Sequence, residues 1–138
     1  MQRRTFVSML VALPLAPGVL AACGGGSSTG IRVQSPDDAA SLLFENPPAD
    51  LVVLDIRTPS EFEAGRLPEA QLLDFYRTDF ADQLDLLDKD VPYLMYCRSG
   101  NRSSQAREIM QDLGFTDVVD VQGGFVAWYD AGHPFVVG

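Results

Sequence analysis

From residue 31 onward, short apolar runs alternate with stretches in which apolar positions recur at helical spacing. Leu51-Val52-Val53-Leu54 and Val91-Pro92-Tyr93-Leu94-Met95-Tyr96 are nearly continuous apolar segments, the pattern of strands covered on both faces. Ile31-Arg32-Val33, Ala70 to Leu73 and Val118-Val119-Asp120-Val121 read as further short strands. Between them lie helical segments with start and stop signals. Ser35-Pro36-Asp37-Asp38 offers an N-cap serine, a first-turn proline and two acids that complement the helix dipole, and that helix ends by Pro47-Pro48. Thr58-Pro59-Ser60-Glu61 opens a brief helix ending at Gly65. Phe80, Leu84 and Leu87 mark one apolar face from Asp79 to Leu87, whose acids form its solvated face. Ser104 to Leu113 closes with Gly114, and a last short helix surrounds Phe125 to Trp128. Strand and helix alternate throughout residues 31–138, which predicts one α/β domain with a mainly parallel central sheet and helices on both faces. In such a sheet, ligands bind beyond the carboxyl ends of the strands.

The first thirty residues follow another pattern. Met1-Gln2-Arg3-Arg4 is basic, Phe6 to Leu20 is apolar but interrupted by Pro14 and Pro17, and Leu20-Ala21-Ala22-Cys23 follows. The apolar stretch is too short and too proline-broken for a membrane span and has the regions of an export signal. Leu-Ala-Ala-Cys resembles the lipobox of bacterial lipoproteins, and Arg3-Arg4-Thr5-Phe6-Val7 resembles a twin-arginine export motif with Gln2 in place of the usual hydroxyl residue. These resemblances imply that residues 1–22 are removed and that Cys23 is lipidated, placing the protein outside the cytoplasm on a membrane. Gly24 to Gly30 would then be a flexible Gly/Ser tether spanning roughly 15 Å.

Charge narrows the partners. The whole chain carries 10 basic and 19 acidic residues, and without residues 1–22 the net charge falls to −11, eight against nineteen. Such a domain is repelled by nucleic acid and anionic lipid, so membrane attachment would come from acyl chains. With Cys23 lipidated, Cys97 is the remaining thiol, which leaves no internal disulfide and no Cys-x-x-Cys redox pair. One histidine and two distant cysteines do not make a zinc site.

Cys97-Arg98-Ser99-Gly100-Asn101-Arg102-Ser103 falls between an apolar strand and a helix, where free backbone N–H groups and the helix dipole converge on a thiol and favour the thiolate. Arg98 and Arg102 add positive charge and planar donor forks. Asp55, ending another buried strand, is expected to accept hydrogen bonds from loop N–H groups and hold neighbouring loops in place. Trp128 and Phe125 are expected in the core, and His133 in a structural turn.

Four segments together resemble the rhodanese domain in its single-domain form: Val53 to Phe62, Gly65-Arg66-Leu67-Pro68-Glu69-Ala70, the Cys97–Ser103 loop, and Gly123 to Trp128 with Ala131-Gly132-His133-Pro134. Arg66 departs from the family, which usually has histidine there. The resemblance implies a rhodanese-like α/β fold and a sulfurtransferase in which Cys97 carries a persulfide. Residues 98–103 would bind small sulfur-containing anions such as thiosulfate, and a thiol or cyanide would accept the sulfur. No cofactor or metal is required, and a monomer is expected. A cysteine-dependent phosphatase or arsenate reductase is the first rival, but such loops place arginine six positions after the cysteine. Here that position is Ser103, and Arg102 stands at plus five. A carrier that hands its persulfide to one protein partner is the second.

Overall fold

A computed structural model describes residues 29–138. The expected signal, the lipidation site at Cys23 and most of the tether lie outside the described residues. Five strands, β1 (Gly30–Gln34), β2 (Val52–Asp55), β3 (Gln71–Leu72), β4 (Tyr93–Tyr96) and β5 (Asp117–Val121), form one sheet in the order β1-β5-β4-β2-β3, with every pairing parallel. Helices α1 (Pro36–Phe44), α2 (Pro59–Ala64), α3 (Phe80–Asp85), α4 (Asn101–Leu113) and α5 (Gly124–Asp130) supply the connections. Among the described residues no helix is long and apolar enough to cross a membrane.

Alternation along the strands divides the core in two. Leu54, Tyr93, Met95, Cys97 and Val118 face α3 and α4, packing with Phe80, Leu84, Ala106 and Met110. Val53, Leu94, Tyr96, Val119 and Val121 point the other way, onto Ala39 and Ala40 of α1 and Trp128 of α5. Both faces of the sheet are therefore covered by helices, as the continuous apolar runs require. Each buried Val, Leu or Met side chain contributes about 1.5–3 kcal/mol on this account.

Start signals act locally as expected. Ser35 caps α1 by accepting from Asp38 N–H at 3.1 Å. Thr58 and Glu61 form a reciprocal capping box on α2. One boundary requires correction: the helix expected from Ser104 begins at Asn101. Gly100, in the left-handed region at φ 104°, turns the chain from loop to helix at once. Ser104 donates from Oγ to Asn101 O at 2.8 Å and is not a cap.

Candidate active site

The carboxyl ends of β2, β4 and β5 converge on the loop that follows β4. Cys97 directly follows that strand and is 1 % exposed. Gly100 N–H donates to its Sγ at 3.0 Å and Ser103 N–H at 3.4 Å. The thiol donates to Ser103 Oγ at 3.5 Å, and that hydroxyl donates to Gly100 O at 3.2 Å. Asn101, Arg102 and Ser103 form the first turn of α4, where backbone N–H groups have no partner within the helix. The loop thus wraps the sulfur in amide donors, an arrangement that stabilises negative charge on it.

Close backbone packing holds this loop against α5. Phe125 N–H donates to Cys97 O at 2.8 Å and Val126 N–H to Arg98 O at 3.0 Å. A Cβ on Gly124 would overlap Cys97 O and come within 2.6 Å of Arg98 C and O, at a backbone φ of 62°. Only glycine lets α5 start this close beneath the loop.

The flanking arginines divide. Arg98 is exposed, and no hydrogen bond or ion pair engages its side chain among the described residues. Arg102 is held by Glu61, Nη1 to Oε2 at 2.8 Å and Nη2 to Oε1 at 2.9 Å, with its guanidinium 5.4 Å from the Tyr76 ring centroid. Arg102 and a backbone bond from Thr58 outweigh partial burial and lower the Glu61 carboxyl to about 2. To meet an anion, Arg102 must share its fork with Glu61 or release it. Ser99 and Asn101 are exposed on the loop rim.

Asp55 accepts from a loop N–H and steadies neighbouring loops as expected, but side chains take most of its bonding capacity. It takes one backbone bond, from Arg57 N–H at 2.9 Å, and otherwise binds the Arg57 guanidinium (Nη2 to Oδ2 at 2.7 Å) and the Tyr96 hydroxyl at 2.5 Å. Arg57 also donates to Gly65 O, and Tyr96 Oη accepts from Leu67 N–H. This buried cluster ties β2 and β4 to the segment after α2. Burial, then the nearby Asp55 charge, raises the Tyr96 hydroxyl far above the ordinary phenol range. Phe125 packs against the Tyr96 and Trp128 side of the core, as expected, and its outer part also walls a cavity, with the ring 4.4 Å from the Arg57 guanidinium. It lines a cavity of about 370 Å³ with Arg57, Glu61, Arg98, Val126 and Tyr129. His133 contacts Asp37 at 2.7 Å and packs on Trp128, a structural position.

Two features escaped the sequence reading. Glu61, 41 residues from Arg102, carries no local signal of the pair. Asp120 interrupts the apolar run of β5 and is 3 % exposed beside α4; an acid inside a buried strand was its one visible sign.

A parallel five-stranded sheet with a cysteine loop between its central strand and a helix N-terminus defines an α/β domain of rhodanese type. The profile of the rhodanese-like domain family matches residues 35–131, and the chain belongs to that family. Similar proteins include a sulfurtransferase of Allochromatium vinosum, 36 % identical over 87 residues covering 63 % of this chain and 79 % of that protein. The thiosulfate sulfurtransferase GlpE of Pseudomonas putida is 42 % identical over 77 residues, 56 % of this chain and 68 % of that protein. A rhodanese-related protein from Thermoplasma volcanium superposes with a TM-score of 0.67 at 28 % identity, covering 78 % of this chain and 99 % of the other.

Proposed function

We propose that the protein is a thiosulfate sulfurtransferase in which Cys97 carries the transferred sulfur. The observation that carries this reading is the pair of backbone N–H groups, from Gly100 and Ser103, aimed at Cys97 Sγ. The Cys97 thiolate attacks the outer sulfur of thiosulfate. A new S–S bond forms to Cys97 as the donor's S–S bond breaks, and sulfite leaves with the bonding pair. The first-turn amides of α4 and the free Arg98 side chain support the anionic donor and the terminal sulfur of the persulfide. An acceptor thiolate or cyanide then attacks that terminal sulfur, and Cys97 departs as thiolate. The apolar walls of the neighbouring cavity, Phe125, Val126 and Tyr129, favour an organic thiol as acceptor. The engagement of Arg102 by Glu61, together with serine at plus six, speaks against phosphoryl chemistry. The likeness to a protein named as a thiosulfate sulfurtransferase supports the choice of donor.

Thiosulfate:cyanide transfer by Cys97→Ser tests the assignment. Activity is expected to vanish with the fold intact, because a serine hydroxyl forms no persulfide. Retention of about a tenth of wild-type turnover would sink it, since losing a nucleophile costs orders of magnitude more.

We further propose that the domain is exported and held on a membrane by acyl chains on Cys23. The support is the basic start, the proline-broken apolar segment, Leu20-Ala21-Ala22 before the cysteine, and the Gly/Ser run after it. Acyl chains contribute ~0.8 kcal/mol per buried CH₂, enough for two or three chains to hold an acidic domain. In membrane fractionation Cys23→Ala is expected to release the protein; equal retention of variant and wild type would refute the anchor.

A further inference from the structure

Asp120 is a buried ionisable group that the proposed sulfur transfer does not use. It is paired in register with Met95 of β4, so its side chain projects from the same face as Cys97 two residues further on. Above it, Ser103 and Arg107 lie one turn apart on α4, on a common face. Arg107 Nε lies 3.0 Å from Oδ2, but its N–H is not directed at that oxygen, so the contact is coulombic. Oδ1 is buried and has no hydrogen-bond partner among the described residues. A carboxylate would not normally be buried with an oxygen unused.

The unused oxygen acquires a role once the donors around the sulfur are counted. Ser103 has one hydroxyl proton and two lone pairs. With Cys97 as thiol, S–H donates to Ser103 and the Ser103 proton goes to Gly100 O. A thiolate or persulfide donates nothing and requires that proton for itself, leaving Ser103 able to accept a hydrogen bond. We propose that Asp120 is a positioning residue for the Cys97 nucleophile: as the neutral acid it donates from Oδ1 to Ser103 Oγ while Ser103 turns its proton to the sulfur anion, and as the carboxylate it competes with the sulfur for that proton. Desolvation pushes the Asp120 carboxyl up to about 6, against the opposing pull of the nearby Ser103 hydroxyl and the Arg107 guanidinium, so both forms occur near neutrality. The charged and titratable groups around it are Arg107 from α4 and Cys97 from the end of β4, with Arg102 acting on Cys97 across the loop. Its register partner on β1 is Val33, which adds no charge.

The inference rests on Cys97 as the nucleophile, but its test reads alkylation rather than sulfur transfer, so the two fail separately. In the full chain, the rate of iodoacetamide alkylation at Cys97 is followed across pH by the mass of the Cys97-containing peptide. Asp120→Asn, whose amide donates at every pH, is expected to lower the alkylation midpoint by about one pH unit, the scale of removing a close like charge. Asp120→Ala removes the charge without supplying a donor and is expected to lower the midpoint by less than half as much. It also serves as the second variant should the asparagine protein not fold. Equal shifts in the two variants would reduce Asp120 to a bare charge and overturn the relay, and an unmoved midpoint in either would overturn the proposal outright.

Discussion

Two buried aspartates on neighbouring sides of β4 show how differently one sheet edge can treat a carboxylate. Asp55 of β2 is fully buried and saturated: a guanidinium, a phenol and a backbone N–H occupy its oxygens. Asp120 of β5 is nearly as buried, yet among the described residues it has one off-axis arginine contact and an oxygen with no partner. A saturated charge is a fixture, because any change strands its partners; an unsaturated one can change protonation state without dismantling its surroundings. The Asp55 side of the edge therefore anchors the segment after α2, and the Asp120 side keeps a carboxyl beside the Cys97 loop that can change protonation state.

The largest expected effect lies on the saturated side. Asp55→Ala leaves the Arg57 guanidinium buried without its carboxylate and Tyr96 without an acceptor. A loss of about 3–5 kcal/mol is expected in urea unfolding, the scale for breaking a buried ion pair. A loss below about 1 kcal/mol would mean that the two aspartates do not differ in this way.

On the other side the sign reverses. The folded Asp120 carboxyl is raised from 3.8 to about 6 by burial, so the neutral form is favoured in the fold. Its contribution to stability is complete below 3.8 and is lost as pH rises through 6. Asp120→Asn should therefore gain stability over wild type on going to pH 8, by on the order of 2–3 kcal/mol given ~1.36 kcal/mol per pKa unit over the rise from 3.8 to about 6. That advantage should shrink below about pH 4, where both side chains are neutral. Urea unfolding at the two pH values checks it, and an advantage independent of pH would contradict the assignment.

The smallest effect concerns the pair that spans the two regions. Glu61 is partly exposed, and Arg102, its main partner, holds its carboxyl at about 2, below the usual 4.5. Its stabilisation is present above 4.5 and lost as pH falls through 2. Solvent and salt screen the pair, so Glu61→Gln should cost no more than about 1 kcal/mol at neutral pH. The same change frees the Arg102 fork and is expected to lower the KM for thiosulfate while sparing a neutral sulfane donor. Equal changes with both donors would show that Arg102 does not meet the anion.

What could be read in the sequence follows the distance over which a signal acts. Apolar runs such as Leu51–Leu54 and Val91–Tyr96 marked central parallel strands, because burial on both faces leaves no room for polar alternation. The Cys97–Ser103 loop was legible for the same local reason: its amides and its thiol lie within seven residues of each other. The start of α4 was placed three residues late because its turn is made by Gly100 at positive φ, with no capping side chain to mark it. Pairings that close only in three dimensions were hidden. Arg102 looked like a free anion ligand because Glu61 is remote in sequence, and the cavity that Phe125 walls besides packing on the core was invisible for the same reason. Asp120 was passed over as part of a strand, since its neighbours Ser103 and Arg107 come from a different element.

The proposed transfer requires that Cys97 itself take the sulfur. Mass spectrometry of the full chain after thiosulfate treatment, with peptide mapping, measures that directly. The expected result is a gain of one sulfur atom confined to the Cys97 peptide, reversed on adding a thiol or cyanide and absent in Cys97→Ser. A wild-type protein that gains no sulfur there under conditions in which it turns over thiosulfate would contradict it.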